Sequence, residues 1–457
     1  MFSDRALEQL RSTVRGAVLT PNDPTYDTTR RVFNAMIDRR PALILQCAAT
    51  EDVIAGIRFA REHSVPLSVR GGGHSVAGTA VCDNGVMLDF ARMKGLHIDE
   101  GRHTARAEPG LRLGEFDEGT ARFGLATPLG IASDTGISGL TLGGGLGWLN
   151  GKFGLSCDNV LSFDVVTADT QVLKASAADN ADLYWALRGG SGNFGAVTAF
   201  EYQLHEVGPA ILGGMIAFPR ARAKEVLRIC LDLSEAAPDE LSTIGALLTL
   251  PDGTQVVAVA ICYCGPIDDG TKAVQPLRAL GSPLLDAIQP MPYTAQQRLL
   301  DDAFPPLGNY HYWKSSFARS MSDEGLERLI EIMATAPSPL TLAYFQQLHG
   351  AAARVAPDAS AFVHRGYQYD FAFLTQWSDP AATDTNVQWS REAFAAMAPH
   401  LDARVYVNNL GEEGSERVRA AFGANYDRLL AIKNQYDPGN VFRSTQNIAP
   451  EPVVGSV

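Results

Sequence analysis

The pattern of apolar and polar positions changes period along the chain, and the period predicts the local structure. Residues 42–47 and 66–70 form apolar runs typical of strands, and a helix begins at Thr50 between them with its apolar residues on one face. Two short helices precede this unit, the first capped by Ser3 and the second over residues 30–36. The opening therefore predicts a β-α-β layer that runs into a glycine-rich loop.

The next part of the chain keeps this mixed pattern up to about residue 205. The predicted elements are strands at 86–90, 96–99 and 103–107, a helix at 112–123, a hairpin of 161–168 with 171–175, a helical turn at 182–187 and a strand at 193–205. A glycine-rich stretch over residues 136–151 interrupts these elements, and it is too irregular to belong to any of them.

The pattern changes again at residues 206–209, Glu-Val-Gly-Pro, where we place a domain boundary. Beyond it we predict strands at 211–217, 243–250, 254–263, 309–317, 340–349 and 367–377, with amphipathic helices near 220–235, 267–280, 323–336 and 385–398. A strand at 404–409 and a helix at 413–435 follow. The middle of the chain therefore predicts an α+β domain whose strands carry aromatic side chains.

Composition narrows the classes of protein to which the chain can belong. Its 457 residues are 46% apolar and 19% charged, which is typical of a globular protein of two or three domains. The net charge of −13 argues against a nucleic-acid surface, and no apolar run approaches the roughly 18 residues of a membrane span. Charge and apolar runs therefore predict no nucleic-acid or membrane partner. Because the N-terminus has no signal-peptide pattern and the six cysteines have no disulfide spacing, we also expect a cytoplasmic protein.

Glycines are concentrated in one part of the chain. Twenty of the 43 glycines lie between Gly71 and Gly154, and glycine lets a backbone approach a ligand closely. Successive backbone N–H groups in such loops form an anion nest without a lysine. The density therefore predicts a backbone cradle for a large phosphate-bearing ligand. His74 ends the first loop and Cys157 follows the second, which suggests that these two side chains bond to that ligand.

Three other kinds of site fit the residues less well than such a cradle: a Rossmann dinucleotide site, a Walker phosphate loop and a metal site. The run Gly143-Gly-Gly-Leu-Gly147 is not a dinucleotide fingerprint, because Trp148 stands where the third glycine would fall. No Gly-Lys-Ser/Thr follows, so a Walker loop is not indicated. Metal binding by His74, His97, His103 or Cys157 has no ligand-pair spacing behind it, and we predict no metal site.

Several motifs together resemble a known family. They are RGGGH at 70–74, GLTLGGGLGW at 139–148, GLSCDNV at 154–160, WALRGGSGNFG at 185–195 and YDPGNVF at 436–442. In this order they resemble the FAD-linked oxidases of the berberine bridge enzyme family, within the vanillyl alcohol oxidase and p-cresol methylhydroxylase superfamily. The resemblance covers nearly the whole chain, and it is densest over residues 41–205 and 403–448.

The resemblance implies a bicovalently bound FAD, with His74 on the flavin 8α-methyl carbon and Cys157 on the flavin C6 atom. A carboxylate at Asp158 would disfavour the thiolate that must attack, unless its side chain points away from Cys157. The resemblance further implies that backbone amides of the glycine loops hold the pyrophosphate, with Gln446 as one more flavin-side contact. The predicted cofactor-binding residues are Arg70, Gly71, Gly72, Gly73, His74, Ser75, Gly78, Thr135, Gly136, Ser138, Gly139, Gly143, Gly144, Gly145, Gly147, Trp148, Cys157, Val197, Asn408, Asn409 and Asn447.

The same resemblance implies the domain organisation. The expected fold class is α+β, with a two-lobed FAD-binding domain of the p-cresol methylhydroxylase type and an inserted substrate domain built on an antiparallel sheet. The first lobe is expected over residues 1–205 and the substrate domain over residues 206–402. Residues 403–457 are expected to return to the FAD-binding domain as a berberine-bridge-type segment.

The catalytic base is the point at which this sequence departs from the family. Many members carry Tyr-x-Asn-Tyr near the C-terminus, whereas this chain has Asn409 at the second tyrosine position. Tyr406 would face the opposite side of a strand, three residues away. A glutamate of the plant members would fall near Arg354, which could bind a carboxylate or be an ordinary surface residue. The remaining candidates are strand tyrosines, since a nearby cation such as Lys314 could lower a tyrosine pKa: Tyr310, Tyr312, Tyr367 and Tyr369.

The function that the resemblance implies is hydride transfer from a small-molecule substrate to flavin N5, with O₂ reduced to H₂O₂. The missing tyrosine favours a secondary metabolite of the polyketide, glycoside or alkaloid type over a carbohydrate. The reaction could oxidise an alcohol or close a ring. A dehydrogenase with another electron acceptor and a flavin-loaded binding protein without turnover stay open as alternatives. We expect a monomer or a homodimer.

Overall fold

The computed structural model describes residues 2–450, and its N-terminal part opens with a small four-stranded sheet. The sheet order is β1-β2-β4-β3; β1 pairs antiparallel, and the other pairs are parallel. Its elements are α1 Asp4–Thr13, β1 Ala17–Leu19, α2 Tyr26–Thr29, β2 Leu43–Gln46, α3 Thr50–Glu62, β3 Leu67–Arg70 and β4 Val86–Asp89. Ser3 caps α1 by accepting a hydrogen bond from the Ala6 N–H group, which confirms that predicted helix start.

An antiparallel five-stranded sheet follows in the order β5-β6-β10-β8-β9, and a two-stranded ribbon of β7 and β11 accompanies it. The elements are β5 Leu96–Asp99, β6 Thr104–Ala107, α4 Leu113–Ala121, β7 Leu125–Ala126, α5 Ile137–Leu142, α6 Asn150–Phe153, β8 Val160–Val166, β9 Val172–Ser176, α7 Ala181–Leu187, β10 Ala196–Gln203 and β11 His205–Glu206.

The largest sheet is antiparallel and has the order β15-β12-β14-β13-β18-β19-β17, with β16 also paired to β12. Its strands are β12 Ile211–Pro219, β13 Leu241–Thr249, β14 Gln255–Tyr263, β15 Leu285–Asp286, β16 Gln289–Met291, β17 Tyr310–Ala318, β18 Leu342–Gln347 and β19 Tyr369–Trp377. This sheet confirms the predicted α+β class and the long strands of the middle part.

Helices of the second half pack on the large sheet or close the chain. They are α8 Ala223–Glu235, α9 Ile267–Ala273, α10 Gln275–Ala279, α11 Tyr293–Gln297, α12 Asp323–Met333, α13 Gly350–Arg354, α14 Thr383–Met397, α15 Ser415–Phe422 and α16 Tyr426–Tyr436. Short 3₁₀ turns occur at Ser156–Asn159, Arg220–Arg222, Asp301–Ala303, Pro380–Ala382, Ala398–His400, Val407–Asn409 and Gly423–Asn425.

Each strand of the large sheet presents alternate residues to two different surroundings. Phe371 and Phe373 of β19 pack in one apolar cluster with Leu227 of α8. Leu374 of the same strand belongs to a different cluster, together with Trp148 of the glycine-rich part. Because neighbouring strand residues point to opposite faces, odd-numbered residues of β19 face the helices and even-numbered ones face the glycine loops. This parity decides which side chains reach the site described below.

Two predicted elements are wrong, and two predicted helices are interrupted, one of them the helix near 267–280, which is split into α9 and α10. Residues 30–36 form no helix, because tertiary hydrogen bonds replace helical ones there: the Phe33 N–H group donates to the Gly73 carbonyl at 3.0 Å. Residues 404–409 form no strand and end in the 3₁₀ turn Val407–Asn409. The helix predicted over 413–435 is split into α15 and α16 by a second turn.

No helix within residues 2–450 is long and apolar enough to cross a membrane. The same residues contain no cluster of three or more His, Cys, Asp or Glu side chains with metal-binding geometry.

Candidate active site

An elongated cavity lies between the glycine loops and the large sheet. Its larger part has a volume of about 230 Å³, and we call it the main cavity. A second part, of about 120 Å³, shares several lining residues with the first, and we call it the adjoining cavity. The glycine loops line the main cavity with residues 71–75, 130–132, 135–136 and 139–140. The sheet side contributes Trp313, Tyr344, Gln346 and Leu374, and the C-terminal part contributes residues 406–409 and 445–446.

The two glycine loops touch each other at a spacing that excludes side chains. A Cβ atom on Gly72 would lie 2.4 Å from the backbone nitrogen of Gly136, and one on Gly71 would lie 2.0 Å from the Ser138 hydroxyl. A Cβ atom on Gly139, by contrast, would meet nothing within 4 Å and would project into open space. The backbone at Gly139 is therefore bare toward the cavity, as a cradle for a phosphate-bearing cofactor requires.

His74 is a neutral, nucleophilic side chain at one end of the cradle. Burial, with a smaller contribution from the positive charge of Arg112, lowers the pKa of His74 to about 4. Its Nε2 atom is buried and has no hydrogen-bond partner among the described residues. Its ring stacks on Phe33 with centroids 3.9 Å apart. An unpartnered, uncharged imidazole beside a bare backbone cradle fits a histidine that bonds to a cofactor.

The cavity contains about half of the predicted cofactor residues. The main cavity is lined by Gly71, Gly72, Gly73, His74, Ser75, Thr135, Gly136, Gly139, Asn408 and Asn409, and by Gln446. Ser138 and Val197 line the adjoining cavity. The predicted residues that line neither cavity are Arg70, Gly78, Gly143, Gly144, Gly145, Gly147, Trp148, Cys157 and Asn447.

The residues behind the cradle have packing roles instead. Arg70 pairs with the buried Asp89 at 2.7 Å and so anchors the end of β3 below the first glycine loop. Cβ atoms on Gly144 and Gly145 would collide with Phe362 and Ser156, at 2.6 and 2.0 Å. These glycines therefore let neighbouring segments approach the second loop from behind, while other glycines of the loops form the cradle.

Cys157 does not fit the cysteinyl link expected from the sequence. It lies in the buried 3₁₀ turn Ser156–Asn159, with Sγ 3.7 Å from Asp158 Oδ1. Burial, and then the Asp158 charge, raise the pKa of the thiol, which opposes formation of the nucleophilic thiolate. Among residues 2–450, no cysteine lines either cavity. The turn thus places this side chain in the protein core, away from both cavities.

Asp158 instead forms a buried ion pair with Arg365. The two guanidinium nitrogens Nη1 and Nη2 each lie 2.7 Å from a carboxylate oxygen, and the arginine side chain is 1% exposed. The Leu155 N–H group also donates to this carboxylate at 2.9 Å. The pair thus ties the segment after α13 to the turn behind the second glycine loop.

Replacing Arg365 with leucine is expected to lower the free energy of unfolding by about 3–5 kcal/mol, because the buried Asp158 carboxylate loses its partner. Urea unfolding measures the change. The control is Arg354→Leu, which breaks an exposed pair with Asp239 and is expected to leave the unfolding midpoint unchanged. Equal effects of the two variants would contradict a stabilising role for the buried pair.

None of the five predicted catalytic residues lines the main cavity. Tyr312 accepts a hydrogen bond from Arg391, Tyr367 from Arg404, and Tyr369 donates to the Leu231 carbonyl. Arg354 pairs with Asp239. Tyr310 stacks on Trp377. From the same two strands, Trp313 of β17 and Leu374 of β19 line the cavity instead. Lys314 pairs with Glu413 rather than activating a tyrosine in the site.

Tyr406 and Asn409 both line the main cavity, contrary to the opposite faces expected of a strand. Residues three apart share a face in a 3₁₀ turn, which is the local structure here. The Tyr406 hydroxyl accepts hydrogen bonds from the Gly145 N–H group at 3.0 Å and from Asn408 Nδ2 at 2.7 Å. It therefore joins the second glycine loop to the wall of the cavity.

A buried acid that the sequence analysis missed stands behind this wall. The hydroxyl of Tyr344 donates to Asp370 Oδ2 at 3.0 Å, and Asn409 Nδ2 donates to the same oxygen at 2.8 Å. Asp370 is fully buried, and its Oδ1 atom has no partner among the described residues. Burial outweighs the two hydrogen bonds and raises the pKa of Asp370 to about 7. The available signal was one carboxylate inside the otherwise apolar start of β19.

The site can therefore supply both a nucleophilic nitrogen and a proton acceptor. His74 lies on the loop wall, and the Tyr344–Asp370–Asn409 group lies on the sheet wall. A carboxyl with a pKa near neutrality is suited to acid–base work, and groups with perturbed pKa values cluster at active sites.

Comparisons with known proteins identify similar FAD-linked proteins. Residues 41–176 match the family model of the FAD binding domain, and residues 405–449 match that of berberine and berberine-like proteins. The chain is 29% identical to (R)-6-hydroxynicotine oxidase of Paenarthrobacter nicotinovorans, over 96% of this chain and 97% of that protein. It is 26% identical to xylooligosaccharide oxidase of Thermothelomyces thermophilus, over 98% and 95%.

The solved structure of 6-hydroxy-D-nicotine oxidase from Arthrobacter nicotinovorans is similar with a TM-score of 0.89 and 28% identity, over 96% of this chain and 98% of that one. The fold and the site thus define a FAD-linked oxidoreductase. The chain contains an FAD binding domain and a berberine-like domain, and it is similar over nearly its whole length to FAD-linked oxidases that include (R)-6-hydroxynicotine oxidase.

Proposed function

We propose that this protein is an oxidase that holds FAD through one covalent bond from His74. Its substrate is a compact, largely apolar, ring-bearing metabolite, and O₂ is the electron acceptor. The observation that carries the proposal is the lining of the main cavity: it contains both a neutral His74 on the glycine cradle and a polar corner formed by Tyr344 and Asn409, which are both hydrogen-bonded to Asp370.

The cofactor side rests on backbone and on a single side chain. The bare amide surface at Gly139 and the packed loops at Gly72 and Gly136 would hold the pyrophosphate, with His74 as the only tether. FAD, when bound, supplies the two-electron acceptor for the oxidation. Cys157 would remain a structural thiol, since its high pKa and its position behind the loop both oppose attachment.

We assign FAD binding and substrate binding to two different units of the chain. Of the predicted ranges 1–205 and 403–457, the described residues 2–205 and 403–450 would form the FAD-binding unit, because they provide the glycine loops and the 406–409 turn; residues 1 and 451–457 lie outside the described residues. Residues 206–402 would supply the substrate-facing wall, because they contain β17, β18 and β19. The substrate would then lie between a flavin on the loops and the polar corner on the sheet.

Proton removal is assigned to Tyr344 acting together with Asp370. Burial and the Asp370 charge raise the pKa of Tyr344 well above its ordinary value, so this residue is a neutral phenol rather than a standing phenolate. It can accept a substrate proton only if it gives its own proton to the carboxylate that it already contacts. Asn409 holds Asp370 Oδ2 in place for that transfer through its 2.8 Å hydrogen bond.

The walls of the main cavity favour an apolar substrate. Phe304, Trp313 and Leu374 form a continuous apolar surface opposite the loops, and Gln346 is the polar side chain beside them. A sugar presents hydroxyl groups around its whole ring, and each buried hydroxyl without a partner costs free energy. An aromatic or heterocyclic alcohol or amine needs only one proton acceptor and a flat apolar wall, which this cavity provides.

Anaerobic mixing with a substrate panel tests the function. We expect aromatic and heterocyclic alcohols or amines to bleach the flavin absorbance at least about tenfold faster than oligosaccharides of equal concentration. Admitting air should restore the colour with one equivalent of H₂O₂. Faster bleaching by sugars would indicate a carbohydrate oxidase, bleaching without recovery in air would indicate a dehydrogenase, and no bleaching by any compound would support a flavin-loaded binding protein.

A further inference from the structure

Three rings form a stacked column that begins at His74 and leads away from the cavity. Phe33 lies between two imidazoles: its centroid is 3.9 Å from that of His74 and 4.1 Å from that of His311. The ring planes differ by only 16° and 20°, so all three rings are nearly parallel. Trp313, which lines the cavity, contacts the edge of the column at 6.0 Å from Phe33.

A backbone clamp holds the column together. The Phe33 N–H group donates to the Gly73 carbonyl at 3.0 Å. The side chain of Asn34 donates to the carbonyls of Val76 and His311, at 2.8 and 2.9 Å, and accepts from the His311 N–H group at 3.0 Å. Two consecutive residues therefore connect the His74 loop to strand β17, which is far from it in sequence. The His74 ring therefore stacks on a residue that is held from outside the cofactor cradle.

Ordinary packing of the protein core does not explain why the column contains His311. His311 is 1% exposed, and both of its ring nitrogens lack hydrogen-bond partners among the described residues. An imidazole buried in this way costs free energy that a phenyl or isobutyl group would not. Burial, with a smaller contribution from the nearby His74, lowers the pKa of His311 to about 3, so neither imidazole in the column is charged at neutral pH.

We infer that Phe33 and His311 are positioning residues for the covalent attachment of His74 to FAD. This inference rests on the proposed tether. Attachment forms one bond between an imidazole nitrogen of His74 and the flavin 8α-methyl carbon. It breaks one C–H bond of that methyl group and the imidazole N–H bond. The two electrons and two protons released reduce the flavin, and O₂ removes them as H₂O₂. The nitrogen lone pair must point along the new bond, and a fixed ring plane provides that orientation.

Phe33→Leu and His311→Leu remove the stacked ring at two different levels of the column. His311→Phe keeps a ring and removes only the nitrogens. Because a misplaced nucleophile reacts slowly, we expect the two leucine variants to attach FAD about tenfold more slowly than the wild type, and His311→Phe to attach it at a rate close to the wild type. The matched control is Phe116→Leu, which alters a fully buried phenylalanine in a different apolar cluster.

The measurement is the fraction of bound flavin that stays with the protein after acid precipitation, followed over time with added FAD. Total bound flavin before precipitation separates binding from attachment. Slow attachment in both leucine variants with normal attachment in His311→Phe and Phe116→Leu supports the inference. Wild-type rates in Phe33→Leu and His311→Leu, or an equal loss in Phe116→Leu, overturn it. If all flavin leaves the wild type, the proposed tether itself is wrong and the inference falls with it.

Discussion

His74→Ala is expected to lose all covalently bound flavin, whereas Cys157→Ser is expected to keep it at the wild-type level. His74 is neutral, lies in the main cavity and has an unpartnered nitrogen. Cys157 is a buried thiol of raised pKa that contacts Asp158 and reaches neither cavity. Intact mass of the denatured proteins measures the difference: the wild type and Cys157→Ser should each carry the mass of one FAD, and His74→Ala should carry none.

The opposite result would be equally clear. Flavin that survives denaturation in His74→Ala but is released from a double variant with Cys157→Ser would restore the cysteinyl link that the sequence suggested. Cys82→Ser is the matched control, because Cys82 is another buried free cysteine near a glycine loop, and it lies outside the main cavity. Its mass should differ from that of the wild type only by the replacement of one sulfur atom with one oxygen atom.

Part of the cavity lining on the cofactor side could be predicted because its signals are local. Residues 71–75 are consecutive and line the cavity, and Gly136 lets a second loop pack against Gly72. Cys157 shows where local reasoning ends. Its distance along the chain from a glycine loop says nothing about the side of that loop on which it lies, and a 3₁₀ turn placed it in the core.

The substrate side could not be predicted because it depends on strand parity across a large sheet. The sequence correctly indicated strands over 309–317 and 367–377, with errors of a residue or two at their ends. A strand pattern does not reveal which face meets the cofactor domain, however. Attention to tyrosines as proton acceptors led to Tyr369, while its neighbour Asp370 contacts the cavity-lining Tyr344. Likewise, a turn rather than a strand brought Tyr406 beside Asn409.

Asp370→Asn is expected to lower the rate of substrate-driven flavin bleaching by about 10²–10³-fold, because the Tyr344 hydroxyl loses the group that takes its proton. The asparagine keeps nearly the same volume and can still accept a hydrogen bond from Tyr344, so binding of FAD is expected to be unchanged. Stopped-flow absorbance under anaerobic conditions, with the best substrate of the panel, measures the rate. Tyr344→Phe should show a loss of similar size, since it removes the hydroxyl group that would accept the substrate proton and give its own proton to Asp370.

The pH dependence follows from the raised pKa of Asp370, about 7 in the folded protein against an ordinary 3.8. Only the carboxylate can accept a proton, so the wild-type bleaching rate should rise with pH through about 7. Stability should change in the opposite direction: the folded protein keeps this proton up to about pH 7, whereas the unfolded chain loses it near 3.8, so the contribution of Asp370 to stability falls as pH rises between those values. Asp370→Asn should flatten both trends.

Asp117→Asn separates a carboxylate that contacts a cavity-lining hydroxyl group from one that is only buried. Asp117 of α4 is also fully buried, and burial raises its pKa well above the ordinary value, but neither of its carboxylate oxygens has a hydrogen-bond partner among the described residues. We expect this variant to change stability without changing the bleaching rate or its rise near pH 7. An unchanged rate in Asp370→Asn, or a rise near pH 7 that persists in it, would instead direct the search for the proton acceptor to Tyr406. That hydroxyl lines the same cavity and already accepts two hydrogen bonds.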